Sequence, residues 1–222
     1  MNKRQKISLV LNSLIFVFTV FAIISTVIGF QFMGELSVLS EKNLKSFRYF
    51  TNESNIFAAF VSLAFVIFKF TKRGKSCEKL PLPFYILKLA ATTGVTLTML
   101  VTICYLAPRS KTTYFAYFMN ASFFMHFLTP LLCIISFVFF EPSEKAPFKF
   151  SFLGVIPMAL YACVYTPNVL LHLQNGKPNP DYDWYGFLAF GLNTIWFVLP
   201  FLIIFTWLFS LALWAMNKKA AK

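Results

Sequence analysis

The sequence predicts an all-α, polytopic membrane protein: one domain, a bundle of six transmembrane helices with both termini cytoplasmic. Three observations carry this. Hydrophobic residues make up 58% of the 222-residue chain and charged residues 13%, with 30 Phe. The apolar residues lie in uninterrupted blocks, and a helix needs about 20 of them in a row to cross a bilayer. The Lys and Arg residues fall in short clusters between the blocks. A nucleic-acid surface gathers its cations along one face, so the net charge of +12 reads as a topology signal and nucleic acid is excluded as a partner.

A basic head, residues 1–6, precedes the first span at 7–30, whose apolar run is broken only by Asn12, Ser and Thr residues and Gly29. The charge order is that of a signal peptide, but the core is too long and no small-residue cleavage pattern follows. The second span covers 47–70 and leads into the densest basic loop, Lys69, Lys72, Arg73, Lys75 and Lys79. The third, 84–106, is rich in Thr (Thr92, Thr93, Thr96, Thr98, Thr102), whose hydroxyls can bond their own helix backbone. The fourth, 114–140, carries Pro130. The fifth, 150–173, carries Pro157 and Pro167, which must kink or break it. A turn-rich loop with Gly176, Pro178 and Pro180 leads to the sixth, 186–214, and a basic tail.

An even number of spans puts both ends on one side. That side holds Lys3, Arg4, Lys6, the basic loop, Lys145, Lys149, Lys218, Lys219 and Lys222; the other holds Lys42, Lys45, Arg48, Arg109, Lys111 and Lys177. The excess makes the termini cytoplasmic by the positive-inside rule. Tyr114, His172, Asp181, Asp183, Trp184 and Tyr185 then lie toward the outer or lumenal side, where the aromatic residues suit an interfacial belt.

Cys77 falls in the basic loop, and Cys104, Cys133 and Cys163 sit in three different spans. No Cys-x-x-Cys pair, no His at metal spacing, no Gly-rich phosphate loop and no Gly-x-Ser-x-Gly elbow is present. The reading carries no metal and no cofactor.

Polar chemistry concentrates in the stretch from Phe47 to Asn55. On a helix Arg48, Thr51, Asn52 and Asn55 are spaced three and four apart and make one stripe. Such a stripe entering a membrane is either a seam between helices or a site. His126 is the second feature. With a fourth span beginning at Tyr114 it lies roughly 18 Å along the helix, near mid-bilayer. Ser122 and Thr129 share its face, and Pro130 cannot bond the His126 carbonyl, so the helix should bend at the histidine. An ionisable group at that depth marks a cavity or packs helices through a neutral ring.

The Tyr49-Phe50-Thr51-Asn52 run at the start of the second span, with one His inside the fourth, resembles the androgen-induced and androgen-dependent TFPI-regulating protein family and its distant bacterial six-span relatives. The specific match is confined to residues 47–55 and 120–130. The resemblance implies an intramembrane hydrolase of fatty acid esters of hydroxy fatty acids, with Thr51 as nucleophile and His126 as its base. The chemistry is coherent. A Thr hydroxyl needs a neighbouring base, which a neutral His supplies. His126 would then protonate the leaving alkoxide and activate water. Asn52 and Asn55 would donate to the oxyanion, and Arg48 would hold a carboxylate at the interface while the acyl chain lies among Phe residues.

Each residue also has a structural reading. Thr51 and Ser54 are ordinary capping residues, Asn52 and Asn55 join helices, Arg48 snorkels at the interface, and Glu53 faces water. The dyad also requires the second helix to start near Leu44, or the fourth to extend above Tyr114, to bring Thr51 and His126 to one depth. Two other functions remain open. The chain is similar to the substrate-capture subunits of vitamin importers, where Asp181, Trp184, Tyr185 and Asn193 would line an outward pocket. It also fits a lipid-interacting membrane protein without chemistry. Membrane lipids are the expected partners in all three.

Overall fold

Without water to bond the backbone, each apolar segment must satisfy its own N–H and C=O groups, and all six do so as helices. The computed structural model describes residues 1–34, 43–77, 80–141, 143, 146–188 and 190–220; Lys42, Lys79, Lys145 and Lys222, read above as topology signals, lie outside them. The six helices of membrane-crossing length are α1 (Lys3–Ile28), α2 (Phe50–Phe70), α3 (Leu82–Arg109), α4 (Ala121–Phe140), α5 (Phe148–Leu171) and α6 (Leu192–Lys219). Among the described residues there is no strand; one isolated bridge joins Gln174 and Lys177. The α3 helix is central and packs against α2, α4, α5 and α6, while α1 lies along α2 and α4. Arg4 Nη2 donates to the Ala220 carbonyl at 3.3 Å, which brings the two ends of the chain together. That pole of the bundle is the termini end, and the opposite pole the far end.

The burial pattern is inverted relative to a water-soluble bundle. Buried positions on α1 are Gln5, Ser8, Asn12, Thr19, Ser25 and Thr26 with Ile15 and Ala22, and its outer face is Val10, Val17, Phe21 and Ile24. Lipid tails are as apolar as Leu, so polar contacts and small side chains hold helices together here.

The second helix starts at Phe50, not at 47 or near Leu44, and two other starts differ further from the sequence expectation. The fourth helix begins at Ala121, because Tyr114–Phe118 forms a separate 3-10 turn and Asn120 takes φ 55°. Asn120 is held in that left-handed conformation by its side chain, whose Oδ1 accepts from the Phe32 and Met33 N–H groups, both at 2.6 Å, and whose Nδ2 donates to Gly34 O at 2.9 Å. The sixth helix begins at Leu192, leaving residues 186–191 to the loop.

The prolines are absorbed in three ways. Pro130 is preceded by a π turn, Phe124–Leu128, whose i→i+5 register widens the helix around His126. Pro157 stands where α5 changes from a 3-10 segment, Phe148–Val155, to α-helix, and Pro167 lies within the α-helical part, which continues to Leu171.

Gly154 sets the closest approach of α5 to its neighbours. A Cβ there would lie 2.1 Å from Ser210 Oγ on α6 and 2.8 Å from Thr93 Oγ1 on α3. Gly154→Ala should therefore force α5 off both helices, at about 1–3 kcal/mol of overpacking. The expected readout is a lower unfolding temperature of the detergent-solubilised protein; an unchanged one would mean the three helices are not packed at this point.

Candidate functional site

A cavity of about 1030 Å³ lies between α2, α3 and α5. On α2 its wall is Phe50, Glu53, Ser54 and Phe57, one face by three-and-four spacing. On α3 it is Ile86, Leu87 and Ala90, and on α5 it runs from Leu153 to Asn168. Fifteen residue steps of helix make that wall about 22 Å long, more than half of a ~30 Å hydrocarbon core. Ile156, Leu160 and Val164 on this wall are exposed, so the cavity is open sideways to the bilayer. Lys45, Arg48, Asp181, Tyr182 and Trp184 form the far-end mouth. The deep wall is apolar and the mouth is charged.

The mouth is fixed by an aromatic clamp. Arg48 lies over the rings of Tyr49 and Trp184, 5.3 and 5.1 Å from their centroids, and its Nη1 donates to Asp181 O at 3.0 Å. Trp184 Nε1 donates to Tyr161 Oη at 2.9 Å, and Tyr161 Oη donates to Arg48 O at 2.7 Å. The N-cap of α2, Tyr49, makes no side-chain cap bond; instead the Phe50 N–H donates to Tyr185 Oη at 2.9 Å. Burial pushes the Tyr185 phenol above its usual range, so it stays a neutral hydroxyl. Asp183 is buried, accepts from the Phe187 and Leu188 N–H groups at 3.1 and 3.0 Å, and accepts a further bond from the Tyr165 hydroxyl. The loop before α6 is thus locked to the start of α2.

Thr51 lies on the other side of this clamp. It is half-buried beside a void of about 30 Å³, shared with Leu97, Thr98 and Tyr185, and its hydroxyl interacts with the Tyr185 phenol. His126 is buried in the π turn, with Nδ1 at 3.2 Å from Tyr117 O. Because α4 starts at Ala121, the histidine is about 7 Å along the helix from its start, rather than the roughly 18 Å expected from a start at Tyr114. Asn55 Nδ2 donates both to Thr51 O at 2.8 Å and to Met125 O at 3.1 Å, which ties the first turn of α2 to the turn that carries His126. Among the described residues no hydrogen bond joins Thr51 to His126. With both amide hydrogens engaged, Asn55 offers only its buried Oδ1, an acceptor without a partner. Asn52 Nδ2 donates to Ser46 O at 2.7 Å, holding the 3-10 turn Asn43–Arg48 against α2. Arg48 belongs to that turn and not to the helix, so the sequence stripe divides: Arg48 to the cavity mouth, Thr51 to the narrow void, Asn52 and Asn55 to seams. Glu53, read as facing water, lines the cavity. Of the expected importer-type pocket, Asp181 and Trp184 line the cavity, whereas Tyr185 borders the narrow void.

A second polar centre, missed in the sequence, lies at the termini end. Glu141 Oε1 accepts from Ser8 Oγ and Ser136 Oγ, each at 2.8 Å, from Asn12 Nδ2 at 2.6 Å and from Lys88 Nζ at 3.4 Å. Lys88 Nζ also donates to Asn12 Oδ1 and lies 5.0 Å from the centroid of Phe65. Both charged side chains are buried. A single Lys inside the apolar run 84–106 was the available signal. Cys77, Cys104, Cys133 and Cys163 are free thiols, and among the described residues no cluster of metal-capable side chains is present.

No protein-family model, no curated protein and no solved structure matches the chain.

Lys88→Met and Glu141→Leu should each lower stability strongly, on the order of 3–5 kcal/mol, because either leaves one buried member of the pair uncompensated. Combining Lys88→Met with Glu141→Leu should recover part of the loss. Thermal unfolding of the single and double variants measures the coupling; strictly additive losses would mean the pair does not interact.

Proposed function

We propose that the chain is a multi-pass membrane protein that binds a lipid-like amphiphile in the cavity between α2, α3 and α5, its headgroup at the far-end mouth and its chain along α5. The observation that carries this is the cavity's polarity profile: charged side chains at one end, a mainly apolar wall from Leu153 to Val164, and exposed apolar residues of α5 along its open side. Its volume is at the top of the range of about 300–1,000 Å³ for small-molecule pockets. By the positive-inside rule the far end is outer or lumenal and the termini are cytoplasmic. Ala90, buried in the wall, is the position at which to fill the cavity. Ala90→Phe should cut the acyl lipid that co-purifies several-fold, as read by mass spectrometry, while Val10→Phe on the lipid face of α1 leaves it unchanged. Equal lipid content in both variants would refute the binding site.

Ester hydrolysis by Thr51 and His126 is the second reading, and the observation that favours it is Asn55, bonded to the backbone beside both residues. Proton transfer needs the hydroxyl and the ring within about 2.6–3.2 Å. Under this reading a fluorophosphonate probe labels the wild-type protein, and Thr51→Ala and His126→Ala each abolish labelling with the protein still monodisperse. Absence of labelling in a folded wild type would remove it.

A further inference from the structure

We infer that the amphiphile bound in this cavity is a zwitterionic phospholipid whose headgroup carries a phosphate and a primary ammonium; the inference rests on the cavity being a lipid site. The mouth brings together two cations, Lys45 and Arg48, and two carboxylates, Glu53 and Asp181. Lys45, Glu53 and Asp181 are exposed on it. A fatty-acid carboxylate or a purely anionic phospholipid would be drawn by the cations but repelled by Glu53, which shares one helix face with the wall residues Phe50, Ser54 and Phe57. Glu53 stands exposed in the first turn of α2, where a ligand cation can reach it. A headgroup with both charges compensates both sets: its phosphate meets Lys45 and Arg48, and its ammonium meets Glu53 and Asp181.

The aromatic residues decide which ammonium. A quaternary ammonium is held by open ring faces. At this mouth Tyr49 and Trp184 have Arg48 over them, and Tyr182 is stacked on His172 with centroids 3.8 Å apart. A primary ammonium needs acceptors instead, which two carboxylates and the Asn168 side-chain carbonyl supply.

The test is native mass spectrometry of the detergent-purified protein, offered equal amounts of phosphatidylethanolamine, phosphatidylcholine and phosphatidylglycerol of one acyl composition, and oleic acid. The wild type should retain phosphatidylethanolamine about tenfold over each of the others, a preference of the size one good charged hydrogen bond supplies. Glu53→Gln should bring phosphatidylethanolamine and phosphatidylglycerol close to parity, and Lys45→Gln should weaken both. Preference of the wild type for phosphatidylglycerol or oleic acid, or a lipid order untouched by Glu53→Gln, overturns the headgroup assignment and leaves the cavity as a lipid site. No lipid bound by a monodisperse wild type overturns the lipid site itself.

Discussion

One carboxylate oxygen holds the termini end of the bundle together. Glu141 Oε1 collects donors from α1 (Ser8, Asn12), from α3 (Lys88) and from α4 (Ser136), so three helices share one acceptor. In a lipid solvent apolar surface gains little by leaving lipid for protein, and a buried charge must be paired and hydrogen-bonded to be tolerated. The pairing therefore fixes how α1, α3 and α4 are rotated about their axes. The π turn that ends α4, Ser136–Phe140, frees carbonyls beside this centre, and they are met from outside: Asn217 Nδ2 donates to Phe137 O at 2.6 Å and Arg4 to Phe139 O at 2.6 and 2.9 Å. The same network thus draws in the first turn of α1 and the last turn of α6.

The far end is held by different means. Tyr161, Tyr165, Trp184 and Tyr185 join α5, the α2 start and the loop before α6 through hydroxyl and indole bonds to backbone and to Asp183. Amphipathic rings are suited to this level of a membrane, one end apolar and the other hydrogen-bonded. Between the two clamps the cavity walls diverge: α5 meets α3 and α6 tightly at Gly154 and meets the α2 start at Tyr161, and the space left along α2 is the cavity. Its shape follows from where the contacts are, not from any special lining residue.

The six helices were legible because length and apolarity alone identify a span, and lipid leaves the backbone no other structure. Their starts were not. The break at Asn120 depends on side-chain bonds to residues 32–34, nearly ninety positions away, and no local pattern in residues 114–120 announces it. The polar stripe at 48–55 was visible as composition but its facing was not, since Arg48 belongs to a 3-10 turn whose register differs from α2. Reading from Phe50 instead, the spacing Phe50, Glu53, Ser54, Phe57 marks the cavity face. Lys88 and Asn12 were legible as polar residues in apolar runs; that Glu141, at the very end of α4, answers both required the packing.

The two functional readings make different demands on the same first turn of α2. For hydrolysis, ester, nucleophile, base and water must meet at Thr51, where the void holds about one or two waters and no acyl chain. A substrate lying in the large cavity presents its polar end to Arg48, Glu53 and Ser54, with Phe50 and Tyr161, 5.2 Å apart, standing between it and Thr51. Catalysis therefore requires the clamp to open: the Phe50 to Tyr185 bond must break and the start of α2 must turn to bring Thr51 toward the chain. That motion uncaps α2 and separates Arg48 from Tyr161, losing contacts that a binding protein keeps in both its empty and its filled state. An amphiphile entering the cavity as it stands would break none of these bonds, and this is the physical ground for placing binding ahead of chemistry.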